Sequence, residues 1–313
     1  MSGVSRQYGD DVTEQRRGFL LGVAAYAMWG LFPLYWRILE PAGAVEILAH
    51  RVVWSLVTMV VLTIALRRVK QLRAITRDRR VVVLLVIASI VIGFNWGGFI
   101  YGVNSGRVVE VSLGYFINPL VTVLLGVLVI GERLRTLQWC AIGIAGVAVV
   151  ILTIDYGHPP WIALLLACSF GTYGLAKKKA DVEAVESLTF ETILLAPLAL
   201  AYILWLSANG DSNFGSHGTG HALLLTTTGL VTAIPLICFG AAAIRIPMTT
   251  IGLLQYLAPT IQFVLGLVVF DEQMTPVMWV GFTLVWVALS IFTVEALRHR
   301  HRQLQLVAEA SAV

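Results

Sequence analysis

Ten apolar runs, each close to the length that crosses a bilayer, follow one another along the 313 residues: 18–38, 46–66, 81–103, 108–130, 137–154, 160–176, 187–207, 221–243, 248–270 and 277–296. A membrane-crossing helix takes about 20 apolar residues, so ten of them use about 200 positions and leave the remainder for loops and tails. Asp, Glu, Lys and Arg make up only 13% of the chain, against about 25% in a typical soluble domain. The pattern predicts an all-α polytopic membrane protein with ten transmembrane helices. It excludes an ordinary cytosolic enzyme.

The net charge of +4 bears on orientation more than on a nucleic-acid partner, because the basic residues lie between apolar runs and not on one solvated face. Nineteen of the 22 Lys and Arg fall in the tails and alternate loops of one side. Basic residues are retained in the cytoplasm, so both termini are expected there, as tails 1–17 and 297–313. The opposite loops hold only Arg107 and, at a helix end, Arg37, while Arg51 lies inside a span. Arg16-Arg17-Gly18-Phe19-Leu20 ahead of Ala25-Tyr26-Ala27 has the look of a twin-arginine signal. Such a signal precedes a soluble cargo, and here nine further spans follow, so cleavage is not expected. Cys140, Cys168 and Cys238 each lie inside an apolar run, with no pair at CxxC spacing. They read as reduced packing residues.

Setting residue n against n+140 reveals an internal repeat around Pro119 and Pro259. Leu113/Leu253, Pro119/Pro259, Gly126/Gly266, Glu132/Glu272 and Trp139/Trp279 are among the identical pairs. Shared hydrophobicity does not place Pro, Gly, Glu and Trp in register, so duplication is the better account. With five spans per repeat, the second copy enters the membrane the other way up. The expectation is two inverted five-helix repeats, 18–154 and 155–296, the arrangement that points to a secondary transporter.

Polar residues inside spans are the candidates for function, since they are disfavoured toward lipid. Ser112, Tyr115, Asn118 and Thr122 share one face of the span holding Pro119, and Gly252, Gln255 and Gln262 hold the corresponding face around Pro259. Each proline removes a backbone donor and distorts the turn before it, which serves a packing kink as well as a solute path. Arg51 and Glu191 are the charges set deepest within spans and occupy equivalent repeat positions. Glu46, one turn before Arg51, is the simplest salt-bridge partner for it; the alternative is recognition of an anionic group on a substrate. Glu191 either reaches the inner interface or carries a proton. Asn95 beside Trp96 suits an interhelical hydrogen bond or a ligand contact equally. Trp29, Tyr35, Trp36 and Trp54 lie in the first two spans, where some offer stacking faces, whereas Trp139, Trp161, Trp205 and Trp279 fall near span ends and read as interfacial belts. Ser89, Gly93 and Gly97, then Gly98, Gly102 and Gly106, form ladders that serve packing within one chain or between two, which leaves a homodimer open.

His217 and His221, with only Asp211 nearby, are too thin a set for zinc, and HExxH, GxSxG and GxxxxGK[ST] are all absent. No metal or cofactor is expected. Zinc protease, serine hydrolase and ATP-driven pump all lack their parts.

Three longer runs carry a family likeness: Ala25-Tyr26-Ala27-Met28-Trp29-Gly30-Leu31-Phe32-Pro33-Leu34-Tyr35, Ser112-Leu113-Gly114-Tyr115-Phe116-Ile117-Asn118-Pro119-Leu120 followed by Gly131-Glu132-Arg133-Leu134, and Gln255-Tyr256-Leu257-Ala258-Pro259 with Phe270-Asp271-Glu272. With Ser169-Phe170-Gly171-Thr172-Tyr173-Gly174-Leu175 they make the chain resemble, over residues 18–296, the EamA-type ten-helix members of the drug/metabolite transporter superfamily, in the RarD-like branch. Asp271 departs from the pattern, since the first repeat has Gly131 there. The resemblance implies an inner-membrane permease with a central cavity between spans one to four and six to nine, spans five and ten lying outside. Members move small organic metabolites or drugs by alternating access, and the branch carries a label connecting it with chloramphenicol sensitivity. No catalytic residue is implied. The expected partners are a small organic solute and membrane lipid, and the candidate cavity set is Trp29, Tyr35, Arg51, Asn95, Trp96, Tyr115, Asn118, Pro119, Tyr173, Glu191, Gln255, Tyr256, Pro259 and Gln262. The alternative from another class is an intramembrane enzyme acting on a lipid or isoprenoid through Glu191, Asn95 or the tyrosines.

Overall fold

Helices stop where the apolar runs give way to turn residues. A computed structural model describes residues 2–130, 134–243, 245–246 and 248–311; Gly131, Glu132 and Arg133, which enter the repeat and the family likeness, lie outside the described residues. The described elements are α1 (Ser2–Ile38), α2 (Ala44–Ala65), α3 (Val69–Ile75), α4 (Arg79–Asn104), α5 (Val108–Leu125), a π-helical turn (Gly126–Ile130), α6 (Thr136–Tyr156), α7 (Trp161–Ala180), α8 (Ala184–Asn209), α9 (Gly218–Ala243), α10 (Met248–Leu254), α11 (Leu257–Val268) and α12 (Pro276–Ser311). Among the described residues there is no strand. Asp78 caps α4 by accepting from the N–H groups of Arg80 and Val81 at 2.8 and 3.3 Å. Gly106, Gly157 and Gly210 turn the chain with positive φ after α4, α6 and α8.

Among the described residues, eight helices are long and apolar enough to cross a membrane: α1 from Glu14, α2, α4, α5 with its π turn, α6, α8, α9 and the first part of α12. The two other expected spans differ for visible reasons. α7 carries Lys177, Lys178 and Lys179 in its last turn, and 248–270 is divided into α10 and α11. The break falls where Pro259 provides no N–H for the carbonyl of Gln255, four residues back. Pro119 sits at the equivalent place in α5, yet that helix runs on through it to Leu125 and loosens only at the π turn. The short α3 in the loop after α2 was not foreseen.

The inside is polar where helices meet, and the outside is apolar. Phe94, Leu128, Ile154 and Leu198 are exposed, whereas Arg51, Ser55, Asn95, Glu191, Thr192, Thr232 and Gln262 are buried. This is the inverse of a soluble surface and suits a hydrocarbon solvent. α4 and α5 pack on α7; α1 packs on α9 and α11; α2 packs on α8 and α9; α5 packs on α11. α6 and α12 pack on each other through Ala141, Ala145, Ala148, Leu152, Phe282 and Val285. The glycine ladder of α4 is used within the chain, with Gly98 against Leu165 of α7 and Gly102 against Val111 of α5. Gly229 lets α9 touch the α2 backbone, since a β-carbon there would lie 2.2 Å from the Trp54 carbonyl oxygen. Cys140 and Cys168 are free thiols on exposed faces, which corrects their reading as packing residues; Cys238 is half-buried.

Candidate binding site

Arg51 lies on α2 where α1, α4 and α9 converge, and it is only 5% exposed. Its Nε donates to Thr232 Oγ1 at 3.1 Å. The guanidinium carbon stands 4.1 Å from the ring centre of Trp96, 5.0 Å from that of Trp36 and 5.9 Å from that of Phe32. These aromatic faces attract a cation but accept few of its five N–H donors. Glu46 does not meet Arg51. Its carboxylate accepts from Asn213 N and Nδ2, both at 2.7 Å, and from Ser212 Oγ at 3.4 Å. Among the described residues no carboxylate lies within salt-bridge distance of Arg51.

Around this cation the neighbouring helices are fixed by polar contacts. Tyr35 donates to the Leu224 carbonyl at 2.8 Å and lies 2.9 Å from Thr227 Oγ1, tying α1 to α9. Asn95 donates to the Leu166 carbonyl at 3.2 Å and to Ser169 Oγ at 3.0 Å, and accepts from Tyr115 at 3.2 Å, joining α4, α7 and α5. The interhelical bonds expected of Asn95 are present. Tyr35, Arg51, Asn95, Trp96 and Tyr115 therefore belong to one connected region of the first-half helices and α9.

Glu191 belongs to a second cluster, fully buried between α8 and α7. Lys177 Nζ lies 2.9 Å from Oε1, Ser187 Oγ donates to the same oxygen at 2.8 Å, and Tyr173 donates to Oε2 at 3.2 Å. Glu191 is thus buried and paired within the protein. Lys177, which reads from sequence as one of three loop lysines, turns inward as its counter-ion; Ser187 is a further contact of Lys177.

The proline faces are only partly joined. Gln262 is 2% exposed, donates to the Trp29 carbonyl at 3.1 Å, and keeps its own Oε1 without a partner. Trp29 packs edge-on to Tyr26 at 5.2 Å. Asn118 and Thr122 lie together, half-buried and exposed, with 3.4 Å between their oxygens. Pro259 is buried at the start of α11, and Gln255 is half-buried at the break. Tyr256 turns elsewhere, toward a lateral groove of about 340 Å³ lined by Phe116, Leu253, Trp286, Leu289, Ser290, Thr293 and Val294.

Four carboxylates fasten loops or helix starts: Glu110 and Glu186 escaped the sequence reading, while Glu46 and Glu272 were noted in it for other reasons. Glu110 accepts from Ile162 N at 3.0 Å at the start of α7, and Glu272 accepts from Val108 N and from Val109 N, the latter at 2.9 Å, at the start of α5. Negative charge is favoured at such ends. Burial pushes the Glu272 carboxyl above its ordinary value against the pull of those two N–H groups, with Glu110 raising it further. Glu46 and Glu186, 3% and 2% exposed, form the third and fourth. Glu186 accepts from Arg68 Nη1 at 3.0 Å, as Glu183 does at 2.7 Å. Glu46 and Glu186 are themselves separated by 140 residues, the interval of the expected repeat, a signal the sequence carried. Among the described residues no group of three His, Cys, Asp or Glu is arranged to hold a metal.

Residues 16–154 match the EamA-like transporter family. Protein RarD of Streptomyces exfoliatus is 57% identical over 289 residues, 92% of each chain. A protein of Vibrio cholerae serotype O1 named an uncharacterized transporter is 40% identical over 291 residues, 93% of this chain and 96% of that one. One solved crystal structure has the same fold, with a TM-score of 0.56 and 17% identity over 89% of this chain and 98% of that one. Buried polar clusters inside an apolar helical shell, together with these relatives, define a multi-pass bacterial membrane protein of a transporter class. The chain belongs to the EamA-like transporter family and is an RarD-like member of it.

Proposed function

We propose that the protein is a secondary transporter that moves a small organic metabolite or drug across the cytoplasmic membrane by alternating access. Its working parts are two inverted repeats, 18–154 and 155–296, ten spans in all, with both termini in the cytoplasm. One observation carries this reading: the buried polar cluster around Arg51 joins α1, α2 and α4 of the first half to Thr232 on α9 of the second. The packing supports the inverted repeat, because partners recur when each helix is exchanged for its counterpart. The α1–α9 contact answers to α7–α4, α1–α11 to α7–α5, and α2–α9 to α8–α4, while α2–α8, α5–α11 and α6–α12 answer to themselves. α6 and α12 then lie outside the central group. The broken helix at Pro259 adds the discontinuity that transporters place beside their substrate. The ion pairs Arg68–Glu186, Arg135–Glu295 and Arg245–Glu14 lie on the side of the basic loops, which suits closure of the cytoplasmic end.

The test is a metabolite inventory inside and outside cells that overproduce the protein, beside cells carrying a folded Asn118→Leu/Gln262→Leu variant. A solute whose partition across the membrane changes only with the intact protein, and which then crosses sealed vesicles, is the expected result. A change in the total amount of a lipid or metabolite with unaltered partition would overturn transport in favour of an intramembrane enzyme.

A further inference from the structure

Resting on the transport reading above, we propose that Arg51 and the rings around it bind the carboxylate of the transported solute, an organic acid with a flat apolar body. A charge buried away from water must be paired or pay heavily in free energy, and Arg51 has no carboxylate within reach among the described residues. The residue at its equivalent position, Glu191, does have a counter-ion from its own chain, Lys177 at 2.9 Å. One repeat is therefore neutralised internally, whereas the other keeps a bare cation.

The geometry around Arg51 is that of a prepared acceptor site. Thr232 engages only Nε, at 3.1 Å, so the side chain is held by one edge. Nη1 and Nη2 have no hydrogen-bond partner among the described residues, and these two form a fork matched to a carboxylate. Other donors nearby are idle as well. The indole N–H of Trp36, whose ring centre is 5.0 Å from the guanidinium carbon, is buried without an acceptor. So is the hydroxyl of Ser55, one turn along the same face of α2. Glu46, the nearest carboxylate in the sequence, is fully engaged by Asn213 and Ser212. Donors without acceptors, walled by Trp96, Trp36 and Phe32, specify an anion whose body packs against aromatic rings.

The experiment uses the purified full-length protein in detergent, with benzoate as probe and benzamide as its neutral counterpart. Binding is read from tryptophan fluorescence, to which Trp36 and Trp96 contribute from within the site. Benzoate is expected to give a saturable change and benzamide none. Arg51→Lys, which keeps the charge and loses the fork, is expected to weaken benzoate at least tenfold, and Arg51→Met to abolish binding. Should Arg51→Met fail to fold, Thr232→Val removes only the Nε anchor and is expected to weaken benzoate by a smaller factor. The proposal is overturned if wild-type protein responds to none of benzoate, phenylacetate and hexanoate, or if the benzoate response survives in folded Arg51→Met and Arg51→Lys. Vesicle flux separates the two readings. Benzoate binding without flux upholds the anion site and removes transport, whereas flux of a neutral or cationic solute without carboxylate binding upholds transport and removes the anion site.

Discussion

Replacing Gly229 with alanine is expected to force α2 and α9 apart. A β-carbon built there lies 2.2 Å from the Trp54 carbonyl oxygen and 2.4 Å from its carbon, whereas a relaxed carbon–oxygen approach is about 3.3 Å. The obstacle is main chain, so no rotamer relieves it and the backbones must separate by about 1 Å. Overpacking of this kind costs about 1–3 kcal/mol, against about 0.5–1 kcal/mol that alanine gains over glycine in a helix. The net loss should be about 1–2 kcal/mol. Gly240 on the same helix has nothing within 4 Å of its built β-carbon, so Gly240→Ala carries the helix gain without the clash. The assay is unfolding of both variants in mixed micelles titrated with dodecyl sulfate, followed by circular dichroism. Thr232 sits one turn beyond Gly229 and anchors Arg51, so benzoate binding should weaken in parallel in Gly229→Ala alone. If Gly229→Ala resists dodecyl sulfate as well as Gly240→Ala, the helices are not held at backbone contact and the reasoning fails.

Lys177→Met should destabilise the protein by about 3 kcal/mol, the low end for breaking a buried pair because the lysine is 20% exposed. Adding Glu191→Gln should restore much of that loss, and a double-mutant cycle by the same unfolding assay would show no coupling if the pair were incidental. At Glu272 the folded chain holds its proton to higher pH than the unfolded chain, because burial raises the carboxyl. Its stabilising contribution is therefore full below the ordinary glutamate value and is lost as pH rises through the raised one. Glu272→Gln should flatten the stability curve over that interval, and an unchanged slope would contradict the assignment.

The all-helical succession was legible because each apolar run has to satisfy its backbone within itself, although run length did not show that 160–176 and 248–270 would differ from the other eight. The pairing of charges was not. Glu46 and Arg51 look adjacent in sequence, but five residues turn a helix through about 500°, leaving the two side chains about 140° apart on its circumference. Lys177 was hidden by its company, since a run of three lysines reads as a solvated loop, and only the helix phase brings the first of them inward. Cys140 and Cys168 lie in apolar runs, yet in a bilayer such a run says nothing about which face meets protein and which meets lipid. Pro119 and Pro259, 140 residues apart, were visible in the sequence, but their different effects were not. One helix absorbs its proline and the other divides, because neighbouring helices decide whether freed backbone groups find other partners.

The two buried glutamates Glu46 and Glu186 also set a mechanical rule. Glu46 fastens the start of α2 to the chain just past α8, and Glu186 fastens the start of α8 to the chain just past α2. Two rods lashed at both ends in this way resist shear as well as separation, so α2 and α8 behave as a single strut that spans the boundary between the halves. If the protein opens and closes as proposed, that strut is the element the motion would pivot around.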